Sequence, residues 1–463
     1  MGFFKAYDMR GTFGVDFDLE LVEKVGYFLP SVVKGDRWLI GRDCRTTSPA
    51  VHAAFVSGLA KAGVEVSDLG LCTTPMVYYY TAKMGFDGSA MITASHNPPS
   101  DNGIKISKKT ALPVGYATGL ADLERLCKTG TLNNGPQLDI DQQKRHDAQA
   151  EKLGTVPQKT GTVPISHEGY VEFLKGYMPD LGDLRIGIDC SNGMAALIAR
   201  RLFPSAVIIN ETLDGAFPCH NPNPLKAEAR EQISALVREK GLDLGIIFDG
   251  DADRAMFVDG EGRFIQPDYL IPIVAKARAN GGGKVLHDVR TSRGATESLK
   301  EMGFDPVMVP VGHAFAKPKM RETGAVCGGE LAGHYYFRDF FGCDSGFLAA
   351  ISILGEAAKA KATGMSFADL VAPVSSRYAN SGEINFDVSS KETAMTRALA
   401  AANANFPKPL SESRIDGVRI DYAEGWFNIR ASNTENCLRL VAECDTKARL
   451  DSWLATMKRA IAP

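Results

Sequence analysis

"LDLGIIFDGDADR", residues 242–254, reads as an apolar β-strand that runs straight into an acidic turn. It follows a helix-like stretch, "AREQISALVREKG" (229–241), which stops on a glycine. The same strand-into-polar-turn pattern recurs along the chain. "RWLIGRDCR" (37–45) leads to the helix "SPAVHAAFVSGLAKAG" (48–63), read with a Ser N-cap and a Gly stop, and then to the strand "VEVSDLG". "LRIGIDCSNG" (184–193) leads to the helix "MAALIARRLF", and "GKVLHDVRTSR" (283–293) to "GATESLKEMG". Strands alternating with helix-length segments predict α/β architecture with parallel sheets and crossover helices. In such sheets ligands gather beyond the carboxyl ends of the strands, where these polar turns fall.

From about Glu383 the pattern changes to strand, helix, three strands and a final helix. In "CLRLVAECD" (437–445), Leu438, Leu440, Ala442 and Cys444 share one face, which predicts an antiparallel sheet with one side buried in a separate α+β domain. "KLGTVPQKTGTVP" (152–164) is the linker candidate.

Composition narrows the functional class. A formal net charge of −3 over 463 residues gives no electrostatic reason for a nucleic-acid or anionic-membrane partner. The longest apolar stretch, Phe347 to Leu354, is far shorter than the roughly 20 residues a membrane span needs. No apolar leader is read at the N-terminus. Nine scattered cysteines, without a CxxC pair, read as reduced thiols of a cytoplasmic protein. Eight scattered histidines show no zinc-binding spacing.

The acidic turn carries Asp249, Asp251 and Asp253. In an extended loop, side chains two apart face the same way, so the three carboxylates converge and repel unless a cation sits among them. Hard oxygen ligands suit Mg²⁺. An EF-hand is excluded, because Arg254 and Gly260 stand where it needs Gly and Glu. A solvated turn of capping aspartates is the plain alternative.

A second turn, "MITASHNPPSDNGIKIS" (91–107), places Ser95 and His96 side by side before two prolines. The hydrolase elbow G-x-S-x-G is absent. Neighbouring strand residues face opposite ways, so His96 is read as poorly placed to act as the base of Ser95. A serine facing three carboxylates and a divalent ion suits a phosphoryl carrier, its phosphate of about −1.5 to −2 charge matched by metal and Arg254. A turn that merely caps a strand is the alternative.

The turn Thr93–Pro98 with Asn102-Gly103-Ile104-Lys105 resembles the active-site serine loop of the α-D-phosphohexomutases. "FDGDADR" resembles that family's metal loop, "GGELAGH" (328–334) its sugar loop, "RASNTE" (430–435) its phosphate loop and "KAYDMRG" (5–11) its N-terminal segment, in the family's order. Within that family the branch the chain most resembles is the bacterial phosphomannomutase/phosphoglucomutase. The resemblance implies a four-domain, heart-shaped architecture of three α/β domains with mixed sheets and a C-terminal α+β domain. The divisions read from the sequence are 1–160 (phosphoserine loop), 161–258 (metal loop), 259–373 (sugar recognition) and 374–463 (phosphate binding).

The resemblance further implies phosphoserine at Ser95, and Mg²⁺ held by Ser95, Asp249, Asp251 and Asp253. Tyr7, Arg10, His96, Lys105, Arg254 and His334 match catalytic-cleft positions. Glu330, Ala332, Gly312, His313 and Arg290 match sugar and phosphate contacts. Arg430, Ser432, Asn433 and Thr434 match the phosphate clamp. Each has a plain reading as well: His313 and His334 as core histidines, Arg430 as the partner of an acid on a neighbouring strand. The expected reaction interconverts hexose 1-phosphate and hexose 6-phosphate, of mannose and also of glucose. It runs through a hexose 1,6-bisphosphate, which is also the activator, in a monomer or dimer.

Three residues depart from the family pattern: Ala332 where Ser is common, Arg290 where Lys is common, and Cys44 in a turn that is often GRDGR. Leu331 stands where phosphoglucosamine mutases usually carry Gln, which argues against that substrate. A two-zinc phosphatase would need clustered histidines. A silent phosphosugar-binding protein would not need Ser95 and all three aspartates intact.

Overall fold

The computed structural model describes residues 2–132, 163–279, 281–432 and 437–462. Of the linker candidate, only Val163 and Pro164 fall within this range, and Asn433 and Thr434 fall outside it.

Four sheets follow one another along the chain. In the first, Arg37–Arg42 pairs in parallel with Glu65–Leu71 and with Gly88–Ile92. Gly88–Ile92 then pairs antiparallel with Asp101–Lys108, which also takes up Met9–Thr12. In the second, Leu244–Phe248 is parallel to Ile186–Asp189 and antiparallel to Ala255–Asp259. In the third, Lys284–Asp288 is parallel to Asp305–Val309 and Cys327–Gly329, and Cys327–Gly329 is antiparallel to Tyr335–Phe337. The fourth is wholly antiparallel around Gly425–Ala431 and Cys437–Cys444.

The sheets are therefore mixed rather than parallel throughout. The reason lies in connection length. A parallel return needs a crossover of about a dozen residues. The turn from Phe248 to Ala255 is shorter, so the strand after the acidic turn comes straight back, pairing Phe248 with Ala255. The serine and sugar loops are likewise the bends of antiparallel returns. Each bend sits at the carboxyl end of its strand, so all three project to one side of their sheets.

Strand pairing also runs across the sequence divisions. Val163–Pro164 extends the first sheet against Glu65–Leu71, and Phe264–Ile265 closes the edge of the second. The helix Phe367–Ser375 spans the division at 373. In these places tertiary pairing, not composition, decides where one part stops.

Helices form largely where the periodicity predicts them. Leu19–Val32 and Ser48–Lys61 cross closely: a Cβ on Gly58 would lie 2.1 Å from the Glu23 carbonyl oxygen. Ser48 is not the cap; Thr47 holds that position, and the Ser48 hydroxyl instead donates to Asp43 Oδ1 at 2.5 Å. "MAALIARRLF" is not one helix but a 3₁₀ turn at Met194–Leu197 followed by Ala199–Leu202. The apolar run Phe347–Leu354 lies in the helix Gly346–Ala362, buried on every side in the largest core cluster. Among the described residues no helix is long and apolar enough to cross a membrane.

The last part adds a short strand, Ser411–Ser413, to the expected order. Leu438, Leu440, Ala442 and Cys444 are buried as predicted. Val441 and Glu443, on the opposite face, are buried too. Val441 and Trp426 pack on Leu331 of the sugar loop. Glu443 accepts from the backbone of Arg293 at 2.8 Å and from Trp426 Nε1 at 2.8 Å. The second face is thus a contact with the third part rather than solvent.

Candidate active site

Ser95 follows the strand Gly88–Ile92 and has φ +51, a left-handed conformation that non-glycine residues rarely adopt. Arg45 sustains it. This guanidinium is fully buried and donates to four carbonyl oxygens of the serine loop: Ser95 at 2.9 Å, Asn97 at 2.7 Å, Pro98 at 2.6 Å and Asp101 at 3.0 Å. Its remaining Nε–H goes to Asp43 Oδ2 at 3.1 Å. Arg10 adds bonds from Nη1 to the Ala94 carbonyl at 3.2 Å and to Asn97 Oδ1 at 2.9 Å.

The left-handed turn overturns the geometric expectation for His96. Because Ser95 is not in extended backbone, the two side chains do not diverge, and His96 Nδ1 lies 3.3 Å from Ser95 Oγ. Burial and the Arg254 guanidinium, which donates to Nδ1, push this imidazole well below its ordinary pKa. The ring is neutral.

Asp249, Asp251 and Asp253 converge, with one carboxylate oxygen of each lying within 4.8 Å of the others. The backbone reason differs from the one expected. Their loop is a turn with Ala252 at φ +59, not an extended run. All three are 0 % exposed. At this spacing each pair of carboxylates repels by about 3 kcal/mol at an effective dielectric of 20. Lys105 answers part of it, with Nζ at 2.7 Å from Asp251 Oδ2 and 2.6 Å from Asp253 Oδ2. Burial opposes the charge on Lys105, but the two carboxylates more than offset it and hold its pKa above the lysine range. Arg254 adds Nε at 3.5 Å from Asp249 Oδ2. Thr74 Oγ1 donates to Asp251 at 2.5 Å, and Ser95 Oγ donates to Asp249 Oδ2 at 2.9 Å.

The cluster keeps acceptor oxygens for another cation. Asp251 Oδ1 and Asp253 Oδ1 are buried without a hydrogen-bond partner. Burial, Asp253 and Asp251 drive the Asp249 carboxyl well above its usual range. Three carboxylates face two neighbouring cationic side chains. This donor set, all oxygen and anionic, fits a hard divalent ion such as Mg²⁺.

The metal and sugar loops are joined directly. Arg254 and His334 form an antiparallel bridge, and the Ala255 N–H donates to the Gly333 carbonyl at 3.4 Å. His334 Nδ1 lies 2.7 Å from Asp344 Oδ2, whose other oxygen is 2.8 Å from the buried Lys317 ammonium. Against the effect of burial, Lys317 and His334 hold Asp344 ionised. With Nδ1–H committed to Asp344, Nε2 is the nitrogen left to accept or deliver a proton.

Glu330 is buried; its Oε1 accepts from Tyr336 OH at 2.5 Å and its Oε2 lies 3.7 Å from Arg290. Burial raises its pKa. Ala332 is half-buried on the same loop. Gly312 has φ +117 with Tyr7 Cε2 only 3.3 Å from where a Cβ would stand. The Tyr7 ring lies at 6.4 Å from His313, and His313 at 6.3 Å from His334. Burial and Lys317 push the His313 imidazole well down, leaving it neutral.

Arg290 is gripped by Asp288 at 2.6 Å and reaches Glu383 Oε2 at 2.9 Å. Arg430 meets the same oxygen at 3.1 Å, and Arg439 meets Oε1 at 3.2 Å. Arg430 is therefore paired with an acid, though Glu383 precedes the strand Ile384–Asp387, which lies beside Cys437–Cys444 and not beside Arg430's own strand. Ser432 follows on the same chain, its N–H donating to the Cys437 carbonyl at 2.9 Å.

The structure thus brings Ser95, His96, Lys105, Arg10, Arg254, His334 and the three aspartates into one connected cluster. Tyr7, Gly312 and His313 adjoin it through ring contacts. Glu330, Arg290, Arg430 and Ser432 lie on the third and fourth parts, linked to it through Tyr336 and the sugar loop. Arg45, Thr74, Lys317, Asp344, Glu383 and Arg439 were not read from the sequence as site residues. Only Arg45 carried a signal, an arginine in a polar turn at a strand end; the others are single residues in ordinary contexts.

Comparison with known proteins agrees across the chain. Residues 1–132, 168–262, 266–378 and 383–460 match the family models for phosphoglucomutase/phosphomannomutase α/β/α domains I, II and III and the C-terminal domain. The chain is 36% identical over 455 residues to "Phosphohexose mutases" of Xanthomonas campestris pv. campestris, covering 96% of each. It is 35% identical over 454 residues to the phosphomannomutase of Escherichia coli K12, covering 95% of this chain and 94% of that one. A phosphoglucomutase/phosphomannomutase family protein of Burkholderia thailandensis superposes with a TM-score of 0.84 at 27% identity, covering 99% of this chain and 96% of that one. The chain belongs to the phosphoglucomutase/phosphomannomutase family of the α-D-phosphohexomutase superfamily. It is a phosphohexose mutase, an intramolecular phosphotransferase of carbohydrate metabolism.

Proposed function

We propose that this mutase interconverts the 1- and 6-phosphates of mannose, and also of glucose, through phospho-Ser95 and a hexose 1,6-bisphosphate. The observation that carries the reading is Ser95 Oγ at 2.9 Å from Asp249 Oδ2, inside a cluster of three buried carboxylates. A proton passed from Ser95 to Asp249 would leave the net charge of the cluster unchanged, so the buried carboxylates call for a cation in either case. The placement suits a serine that presents a phosphate to a cation.

Ser95, Asp249, Asp251 and Asp253 would hold Mg²⁺, which when bound neutralises phosphoryl oxygens during transfer. The remaining work belongs to the side chains. Arg254 and Arg10 fix the serine loop and offer positive charge beside it. Phospho-Ser95 gives its phosphoryl group to the free sugar hydroxyl; the Ser95–phosphorus ester bond breaks as the new ester forms. The hydroxyl proton passes to a nearby base, for which His334 Nε2 is placed, with His96 adjoining, and the departing Ser95 oxygen takes up a proton, for which Lys105, held as an ammonium by Asp251 and Asp253, is the donor candidate. After reorientation the other phosphate returns to Ser95 Oγ.

Glu330 would accept from the O3 and O4 hydroxyls. These exchange places when C1 and C6 are swapped, so one carboxylate serves both orientations. Nothing in that contact reads C2, where glucose and mannose differ. Ala332 offers no hydroxyl of its own. Leu331, packed on Trp426 and Val441, offers no hydrogen bond for a 2-amino or N-acetyl group. Tyr7, Gly312 and His313 would line the cleft opposite. Arg290, Arg430 and Ser432, with Asn433 and Thr434, would grip the phosphate that is not reacting.

We place one loop on each of four parts, with the divisions at 160, 258 and 373 moved to where strand pairing ends. The buried thiols Cys72, Cys190 and Cys327 suit a reducing cytoplasm. Phosphorus NMR of mannose 1-phosphate with Mg²⁺ and a trace of glucose 1,6-bisphosphate tests the reading. A growing 6-phosphate signal without free phosphate supports it; free phosphate alone refutes it. Ser95→Ala should abolish the conversion.

A further inference from the structure

Glu383 follows Gly382 and precedes the strand Ile384–Asp387. Its carboxylate is 14% exposed and stands at the focus of three guanidinium groups. Arg290 and Arg430 share Oε2 at 2.9 and 3.1 Å, and Arg439 takes Oε1 at 3.2 Å. Arg290 comes from the third sheet's loop, and Arg430 and Arg439 from adjacent strands of the fourth sheet. Although burial works against its charge, Arg290, Arg430 and Arg439 hold the Glu383 carboxyl down to about 2.

Two anions compete for one set of donors. If Arg290 and Arg430 grip the substrate's non-reacting phosphate, as proposed above, its oxygens need the guanidinium edges that Glu383 now occupies. A phosphate dianion and a carboxylate placed side by side would repel. Arg430 has further capacity: its Nε is buried without a hydrogen-bond partner among the described residues.

We propose that Glu383 is an exchangeable occupant of the phosphate clamp, filling it between substrates and yielding to the phosphate when a phosphosugar binds. The exchange rests on the clamp reading of Arg430 and Arg290. Its chemical purpose follows from the reaction. The sugar must leave the clamp halfway through turnover so that its other end can face Ser95. Bare buried guanidiniums would make that release unfavourable. A carboxylate waiting at the edge compensates them as the phosphate departs. The same residue bridges the third and fourth parts when the clamp is empty, so the fourth part stays docked.

The test is calorimetric titration with inorganic phosphate and with mannose 1-phosphate, on the full-length enzyme and on Glu383→Gln and Arg430→Gln. Glutamine keeps the volume and removes the competing charge, while Asp288 still pairs Arg290. Glu383→Gln should bind both ligands roughly tenfold tighter, a coupling of ordinary size. In turnover it should show lower KM and lower kcat, because release is slowed. Arg430→Gln should bind more weakly. Equal or weaker binding by Glu383→Gln, with Arg430→Gln also weakened, would mean that Glu383 only orients the arginines, and the exchange is wrong. Unchanged binding by Arg430→Gln would remove the clamp reading itself, and the exchange with it. If Glu383→Gln melts much lower than the parent, Glu383→Asp replaces it. A shortened carboxylate reaches the guanidiniums less well, so binding should again tighten, and weaker binding again overturns the exchange.

Discussion

Lys105 Nζ lies 2.6 Å from Asp253 Oδ2 and 2.7 Å from Asp251 Oδ2, so the ammonium occupies part of the space between carboxylates that suit a divalent cation. Lysine and metal therefore compete for the same oxygens. Lys105→Met should bind Mg²⁺ about tenfold more tightly, a step of roughly 1.4 kcal/mol. Its kcat should nevertheless fall by about 10²–10⁴, the usual range for losing a proton-transfer group. Titration calorimetry with Mg²⁺ and steady-state assays check the pair; weaker Mg²⁺ binding by the variant would contradict the competition.

Asp344 accepts from His334 Nδ1 at 2.7 Å, with Lys317 at 2.8 Å on its other oxygen. The arrangement fixes the tautomer that leaves Nε2 available. Asp344→Asn should lower kcat by about 10² or more while leaving KM nearly unchanged. Lys317→Met should do less, since Asp344 stays in place. A rise in KM at constant kcat would show that the pair serves binding instead.

Arg45 carries four carbonyl contacts of the serine loop on one buried guanidinium. Arg45→Ala should destabilise the protein by about 3–5 kcal/mol, because Asp43 is left buried with its charge uncompensated. Arg45→Lys keeps the charge but not the fork. It should unfold closer to the parent in urea yet lose most of the turnover, as Ser95 relaxes from φ +51. Parent-like turnover in Arg45→Lys would mean the loop holds itself.

Asp268 is buried, with Oδ2 accepting from the Ser292 N–H at 2.8 Å and Oδ1 unpartnered. Burial raises its carboxyl from 3.8 to about 7. The folded protein therefore binds the proton more tightly than the unfolded chain. Its stabilising contribution is complete below the unfolded pKa and is lost as pH rises through about 7. Asp268→Asn, which resembles the protonated acid, should gain stability over the parent at pH 8 relative to pH 5, by about 2–3 kcal/mol, since the folded carboxyl titrates roughly two pH units above pH 5. Urea denaturation at the two pH values measures it; a constant difference would rule out the titration.

Much of the chemistry was legible along the chain because each functional loop is local. A strand ends, a polar turn begins, and Ser95, Asp249, Asp251, Asp253 and Glu330 all stand in such turns. Hydrophobic periodicity placed the helices and strands around them, and their order carried the family resemblance. The pairing of strands was not local. Whether Phe248 is followed by a crossover or a return depends on what Ala255 meets, and that is its own neighbour strand. The burial of Glu443 and Val441 needed the third part to cover a face that alternation alone would assign to water. The relation of Ser95 to His96 turned on one positive φ, imposed by an arginine fifty positions earlier. Asp344 and Glu383 were invisible as site residues for the same reason: a lone charged side chain becomes functional only when the fold decides which opposite charge, and which loop, it meets. Residue types in order set the reaction class, and long-range contacts set which groups hold the proton, the loop and the empty clamp.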